Sequence, residues 1–326
     1  MGKYILKRLL WMIPVVFGVA IVIFTIMEFV PGDVAKMILG SSATAEELAA
    51  LNEELGLNNP FHIRLLEYLK DVFLHFDLGT SYFTKVPVTE ELLTRFPRTL
   101  LIALCCMLFS IVIGVPLGIN AAVHQDSLTD RISMFIALFG VSIPSFWLAL
   151  MLVVVFALNL HLLPATGFKG FKYLILPVIA NSFGTLAGLA RQSRSAMLEV
   201  IRSDYVTTAC AKGLSENAVI WRHALPNALI PIITSIGSQL GGLLGGTLVI
   251  ESVFSIPGIG LYMINAVNNR DFPVVRGSVI FLAIVFSIIM LLTDLAYSYV
   301  DPTIKAQYVG SGRKKEKKER KEAAKA

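Results

Sequence analysis

Charge is what this chain has least of. Only 16% of its 326 residues are Asp, Glu, Lys or Arg, while 55% are hydrophobic; a soluble domain carries about 25% charged residues. That deficit excludes a disordered chain and a core bounded by water alone. Cysteine is scarce as well: Cys105 and Cys106 are adjacent and Cys210 stands apart, so there is no CxxC pair and no disulfide framework, and the three read as small apolar filler. No GxxxxGK[ST] phosphate loop occurs, since Gly167-Phe-Lys-Gly-Phe-Lys172 has the wrong spacing, so this chain is not expected to hydrolyse ATP or to hold a cofactor. HExxH is missing, and His62, His75, His124, His161 and His223 are scattered over different loops, which argues against a metal cage. A net charge of +5 is too mild to point to nucleic acid.

What the chain has instead is six runs free of charge and histidine: Leu9–Met27, Thr99–Val123, Ile132–Leu160, Tyr173–Ala190, Ala224–Ile250 and Gly277–Thr293. Each matches or exceeds the ~17–25 residues a helix needs to cross the hydrocarbon layer. A β-barrel would show short alternating segments instead, and these are absent. The first run is longer than the h-region of a signal peptide and lacks a small-residue cleavage site, so it counts as a span. The expected fold class is an all-α polytopic membrane protein with six transmembrane helices.

Orientation follows from the basic residues. With the N-terminus inside, inner segments hold 18 Lys+Arg against 10 outside, of which the long 31–98 segment carries 6. Both termini are therefore expected to be cytoplasmic. The divisions are an N-terminal segment and span at 1–30, an extracytoplasmic loop at 31–98, a transmembrane domain at 95–300 and a basic tail at 301–326. The domain's helices are expected at about 99–123, 133–158, 173–193, 226–250 and 277–299. The tail carries charge equal to the whole chain's excess and reads as a solvated segment at the anionic leaflet.

Two loops have structure of their own. In the acidic 31–98 loop, Thr44 and Glu47 form a capping-box pattern, Gly56 stops that helix, and Phe61–Phe76 is a second amphipathic stretch. The inner loop 199–227 is punctuated more sharply. Ser203 and Asp204 are cap types before a helix to Lys212, Gly213 stops it, Ser215 caps a second helix to about Ala224, and Pro226 with Asn227 breaks the chain before the fifth span. Such a rigid knob is more than a connector needs, so something is expected to sit against it.

Within the spans, Gly237, Gly241 and Gly245, flanked by Gly242 and Gly246, form a small-residue stripe suited to close helix packing, and Gly114/Gly118 and Gly184/Gly188 repeat it. Asn181, Ser182, Thr234, Ser238 and Gln239 are candidate pathway-lining polar groups, suited to a substrate recognised through its amides. Glu28 and Asp294 lie at span ends, where they reach water. An ion-coupled transporter would want more spans, comparable halves and buried carboxylates, and an intramembrane enzyme would want facing His, Ser/Lys or Asp pairs.

The inner loop also carries a resemblance. Thr207-Thr-Ala-Cys-Ala-Lys-Gly213, nine residues, then His223-Ala-Leu-Pro226 resembles the EAA loop of binding-protein-dependent ABC importer permeases, with Ala209, Gly213, Leu225 and Pro226 in register. Departures at Thr207, Thr208 and His223 resemble the peptide/nickel branch, as does the wording Asp204-Tyr-Val through Lys212-Gly-Leu-Ser215. Pro31-Gly-Asp33, Asp77-Leu-Gly-Thr-Ser81, Ser142-Ile-Pro-Ser-Phe-Trp147, Arg194-Ser-Ala-Met-Leu-Glu-Val200, Phe254-Ser-Ile-Pro-Gly-Ile-Gly260, Asn269-Arg-Asp-Phe-Pro273 and Asp301-Pro302 agree with that branch. The resemblance runs to about residue 305. It implies a type I importer fold in a bacterial or archaeal cytoplasmic membrane, a homologous second permease, two ATPase subunits and an extracytoplasmic binding protein. The implied substrate is a di- or oligopeptide, with nickel or another small solute as the alternative. It further implies that Asp204, Tyr205, Thr207, Ala209, Lys212, Gly213, Leu214, Ser215, Glu216, Asn217, Leu225 and Pro226 form the ATPase-coupling segment, with Lys212–Asn217 seated in an ATPase cleft.

Overall fold

The computed structural model describes residues 2–30, 34–40 and 42–300. Pro31-Gly-Asp33, Asp301-Pro302 and the basic tail 301–326 lie outside the described residues.

The described chain is helical. It runs through α1 (Gly2–Glu28), α2 (Val34–Leu39), α3 (Ala45–Glu54) and α4 (Phe61–Lys70), the last continuing into a wide π turn at Asp71–His75. Then come α5 (Val88–Val123), α6 (Leu128–Ser142), α7 (Ser145–Leu152, extended by a π turn to Asn159) and α8 (Lys172–Ile201). The loop helices α9 (Asp204–Ala211) and α10 (Glu216–Ala218, extended by a π turn to Ala224) precede α11 (Leu225–Val253), α12 (Ile259–Asn269) and α13 (Phe272–Val300).

Five helical segments are long and apolar enough to cross a membrane, and α6 with α7 makes a sixth only as a bent pair, at 96°. The bend corrects the expectation of one straight helix over 133–158. Its cause is Pro144, which removes a backbone donor and holds Ile143 in extended backbone (φ −85, ψ 122). A second correction concerns Pro226 and Asn227, which do not break the chain. Helix runs continuously over Glu216–Val253. Pro226 falls in the first turn of α11, just after the π turn, where a missing N–H costs least. Thr44 forms the expected capping box, with its hydroxyl and amide both bonded to Glu47.

α8 lies at the centre, packed on α5, α6, α7 and α11. The tightest approach is α5 on α8: a Cβ on Gly114 would stand 2.6 Å from the Leu186 carbonyl oxygen, and one on Gly118 would collide with Ala190 and Ser193. The α11 glycines divide. Gly237 and Gly241 face Thr293 and Phe286 of α13, whereas Gly242 and Gly245 meet open space.

At the end of the bundle away from α9 and α10, a buried carboxylate joins three elements. Glu251 is 0% exposed and accepts from the Thr99 hydroxyl at 2.6 Å, the Gly260 amide at 2.7 Å and the Leu261 amide at 3.1 Å. The two amides are orphan donors of the first turn of α12, where the helix dipole also favours a negative charge. Thr99 in turn accepts from the Ile259 amide at 2.9 Å. Gly260 is required here, because a Cβ would stand 2.5 Å from the Leu248 Cα. Nearby, Ser81 and the Tyr82 amide bond the carboxylate of Asp271, and Gly79 packs on Pro273. Two of the matched sequence stretches, 77–81 and 269–273, therefore meet.

The long segment before α5 does not stand free. α4 folds back along α1, with Tyr68 stacked on Phe24 (5.1 Å) and Phe73 against Phe17 (5.4 Å), while Val72 is buried with Val16, Ala20 and Ile280.

Candidate coupling loop and transport face

The 199–227 loop is held by its apolar side. Val206 and Ala209 of α9, with Val219 and Ala224 beyond α10, are buried against Ile119, Ala122, Met197 and Ile232. α9 starts at Ser203, whose hydroxyl donates to Val200 O (2.6 Å) rather than capping the helix, and Thr208 donates back to Asp204 O (2.8 Å). Asn227 donates to the Tyr205 hydroxyl at 2.8 Å, tying α9 to α11. The corner is Gly213, at φ +79, a left-handed conformation that costs other residues about 1 kcal/mol. A Cβ there would touch nothing, so backbone conformation alone demands the glycine.

Everything the anchors leave over points outward. Residues 210–217 are exposed without interruption, including Lys212, Leu214, Ser215, Glu216 and Asn217. Asp204, Tyr205, Thr207 and Pro226 are exposed beside them, and Trp221 adds an apolar surface at 59% exposure. Ala209 and Leu225 face inward as packing residues. Ser215 does not cap α10: its side chain makes no cap hydrogen bond, and its carbonyl instead accepts from Val219.

Charged ties that the run-by-run sequence reading passed over secure this end. Asp130 takes two hydrogen bonds of 2.6 Å from Arg194, and its amide is bound by the Ser127 hydroxyl at the start of α6. Arg202 donates to Gln125 at 3.2 Å. The signal for Asp130 was there, as the cap pattern Ser127-Leu-Thr-Asp130. Glu251 directly follows the uncharged run that ends at Ile250, so the carboxylates at or inside the spans are more than Glu28 and Asp294. Those two are paired, with Arg64 and with Arg8 (3.0 Å).

Between the two ends, α8 and α11 share a face that the rest of the described chain does not cover. Gly184, Arg191, Ser195, Glu199 and Arg202 are exposed along one side of α8. Asn227, Thr234, Ser238, Gly242 and Gly245 are exposed along one side of α11. The stripes meet where Gly188 approaches the Gln239 side chain. Of the expected lining residues, Thr234 and Ser238 lie on this face and Gln239 is half-buried at its seam. Asn181 is 7% exposed beside Gly246, with its Nδ2 unpartnered. Ser182 does not belong to the face. It is 0% exposed and donates to Val178 O and Cys106 O between α8 and α5. The polar stripe, which runs on through Arg191 and Glu199 toward the inner loop, suits water or protein better than lipid.

The sequence matches the family described as binding-protein-dependent transport system inner membrane component over residues 114–306, and that family's N-terminal region over residues 1–103. The chain belongs to this family. A dipeptide transport system permease protein of Alkalihalophilus pseudofirmus is 44% identical, covering 94% of this chain and 100% of that protein. Glutathione transport system permease proteins of Salmonella choleraesuis and Escherichia coli K12 are 38% and 36% identical, each covering 94% of this chain and 99% of the relative. Among solved structures, a chain of the inward-facing MetNI methionine ABC transporter shares the fold at TM-score 0.55, with 19% identity over 65% of this chain and 97% of that one. The protein is accordingly a multi-pass permease of an ABC importer in the inner membrane, a translocation subunit rather than an enzyme, and its family implies ATPase and binding-protein partners. That membership sets aside the ion-coupled transporter and the intramembrane enzyme.

Proposed function

We propose that this permease takes up di- or oligopeptides handed over by an extracytoplasmic binding protein, and that it does so beside a second, homologous permease. The uncovered polar face of α8 and α11 is the surface on which that second subunit closes the pathway. Thr234 and Ser238 contribute hydroxyls to its wall, and the small residues leave room for a peptide backbone. Both termini and the α9–α10 loop lie on the cytoplasmic side, as the basic-residue asymmetry supports. Two ATPase subunits, which bind ATP and Mg, dock on these loops, one on each permease. Nickel is not favoured, because the relatives named above carry dipeptide and glutathione.

The observation that carries this reading is the exposed tip 210–217 on a buried apolar base. Force applied to the tip reaches α8 and α11 through Val206, Ala209 and Val219. Gly213→Val tests it in proteoliposomes that hold the complete transporter and its binding protein. The expected result is normal insertion and assembly, with peptide-stimulated ATP hydrolysis lost. Unchanged stimulation would sink the coupling assignment.

A further inference from the structure

We infer that a cavity between α1, α4 and α13, at the end of the bundle away from the α9–α10 loop, binds the zwitterionic headgroup of an aminophospholipid. This requires only that the chain sits in a membrane; it is independent of the substrate and of which side faces the cytoplasm.

The cavity holds about 230 Å³. Arg276 of α13 reaches into it with its guanidinium carbon 5.0 Å from the centre of the Phe24 ring and 4.9 Å from that of Tyr68. Its Nε donates to Phe272 O at 3.3 Å, and among the described residues it forms no ion pair with a carboxylate. A cation withdrawn between two rings gains from their faces, and its hydrogen-bond partner in the cavity, the Tyr82 hydroxyl, is neutral, so no carboxylate among the described residues balances its charge. The Tyr68 hydroxyl, on the same wall, is buried and unpartnered. Tyr82 also lines the cavity. Burial pushes the Tyr68 hydroxyl up to about 12 and raises that of Tyr82, so both stay protonated and able to donate.

The opposite charge is present too. Glu28 is already paired with Arg64, and Asp71 holds the His75 ring at 3.1 Å. Glu67 and Asp77 line the cavity as well, and Asp77 accepts only from the Gly79 amide (2.8 Å) among described partners. A lone anion would meet these carboxylates, and a lone cation would meet Arg276. A ligand with an anionic group for Arg276 and Tyr68 and an N–H ammonium for Glu67 and Asp77 satisfies both. An aminophospholipid headgroup and a free amino acid or dipeptide share that chemistry. The surroundings favour the lipid. Arg276 stands immediately before the uncharged run of α13, and Phe29 (79% exposed), Leu66 (64%) and Phe76 (83%) offer bare apolar surface for acyl chains near the cavity's walls.

Native mass spectrometry of the complete transporter, equilibrated with phosphatidylethanolamine, phosphatidylglycerol or phosphatidylcholine, tests the site. Phosphatidylethanolamine should be retained one per copy of this chain, about tenfold over the other two, as expected for charge-assisted hydrogen bonds lost. Arg276→Gln should reduce that retention about tenfold. Tyr68→Phe, which removes one oxygen and leaves the ring stack, should reduce it several-fold and decides the matter if the arginine variant fails to assemble. Equal retention of all three lipids, or retention unmoved by Tyr68→Phe, would overturn the site. Displacement of the lipid by glycylglycine would assign the cavity to a free zwitterion and overturn the lipid assignment.

Discussion

The two ends of the bundle are built on opposite rules. At the α12 end, Glu251 has three donors within 3.1 Å and is wholly out of solvent. At the loop end, residues 210–217 all face out, and the Ser215 hydroxyl makes no cap bond. Both are connections between spans that carry helices of their own, and both depend on a glycine. One spends its polar groups internally and fixes architecture; the other keeps them available for a surface outside the chain. Internal satisfaction marks structure here, and unspent hydrogen-bonding capacity on a rigid base is what the proposed docking surface requires.

The difference can be broken from either side. Glu251→Ala should have the largest effect, about 3–5 kcal/mol, because it strands the Thr99 hydroxyl and two amides of α12 in a dry site. Thermal unfolding of the purified transporter measures it, and Glu251→Gln, which keeps the shape, should lose less. Asp130→Ala comes next, at about 2 kcal/mol, since Asp130 is buried while Arg194 is a quarter exposed and water recovers part of the loss. Gly213→Val should cost about 1 kcal/mol of stability and nearly all the coupling, which separates the two ends most sharply. Ser215→Ala should shift stability by less than about 0.5 kcal/mol, because the hydroxyl makes no cap bond.

The smallest effect is one of pH. The Thr44 amide and hydroxyl hold the Glu47 carboxyl below its usual 4.5. A depressed folded value gives a contribution present above the ordinary pKa and lost as pH falls through the folded one. Hydrogen exchange of α3 should therefore distinguish wild type from Glu47→Gln at neutral pH, and the distinction should vanish in acid.

Much of this was legible in the sequence, for identifiable reasons. Spans announce themselves through missing charge, and the loop through its Gly213 corner, because both depend on local chemistry. The capping box at Thr44 is local as well and formed as read. What was illegible depends on partners distant in the chain. Glu251 looked like the polar residue that ends a span, and only the fold brings Thr99 and the α12 amides to it. Ser182 looked like a pathway hydroxyl until α5 supplied the Cys106 carbonyl opposite it. Pro226 looked like a break because a π turn that places it in the first turn of a new helix leaves no mark in the sequence. The stripe of Gly237, Gly241 and Gly245 was visible, but which glycines pack inside the chain and which stay open required α13 in place.

Site-specific photo-crosslinking in the assembled transporter tests the central claim most directly. A crosslinking side chain at Leu214 or Asn217, on the exposed tip, should capture an ATPase subunit, and one at Leu261, beside the Glu251 clamp, should not. Capture of the binding protein from the tip, or an equal yield of ATPase adduct from both ends, would contradict the account.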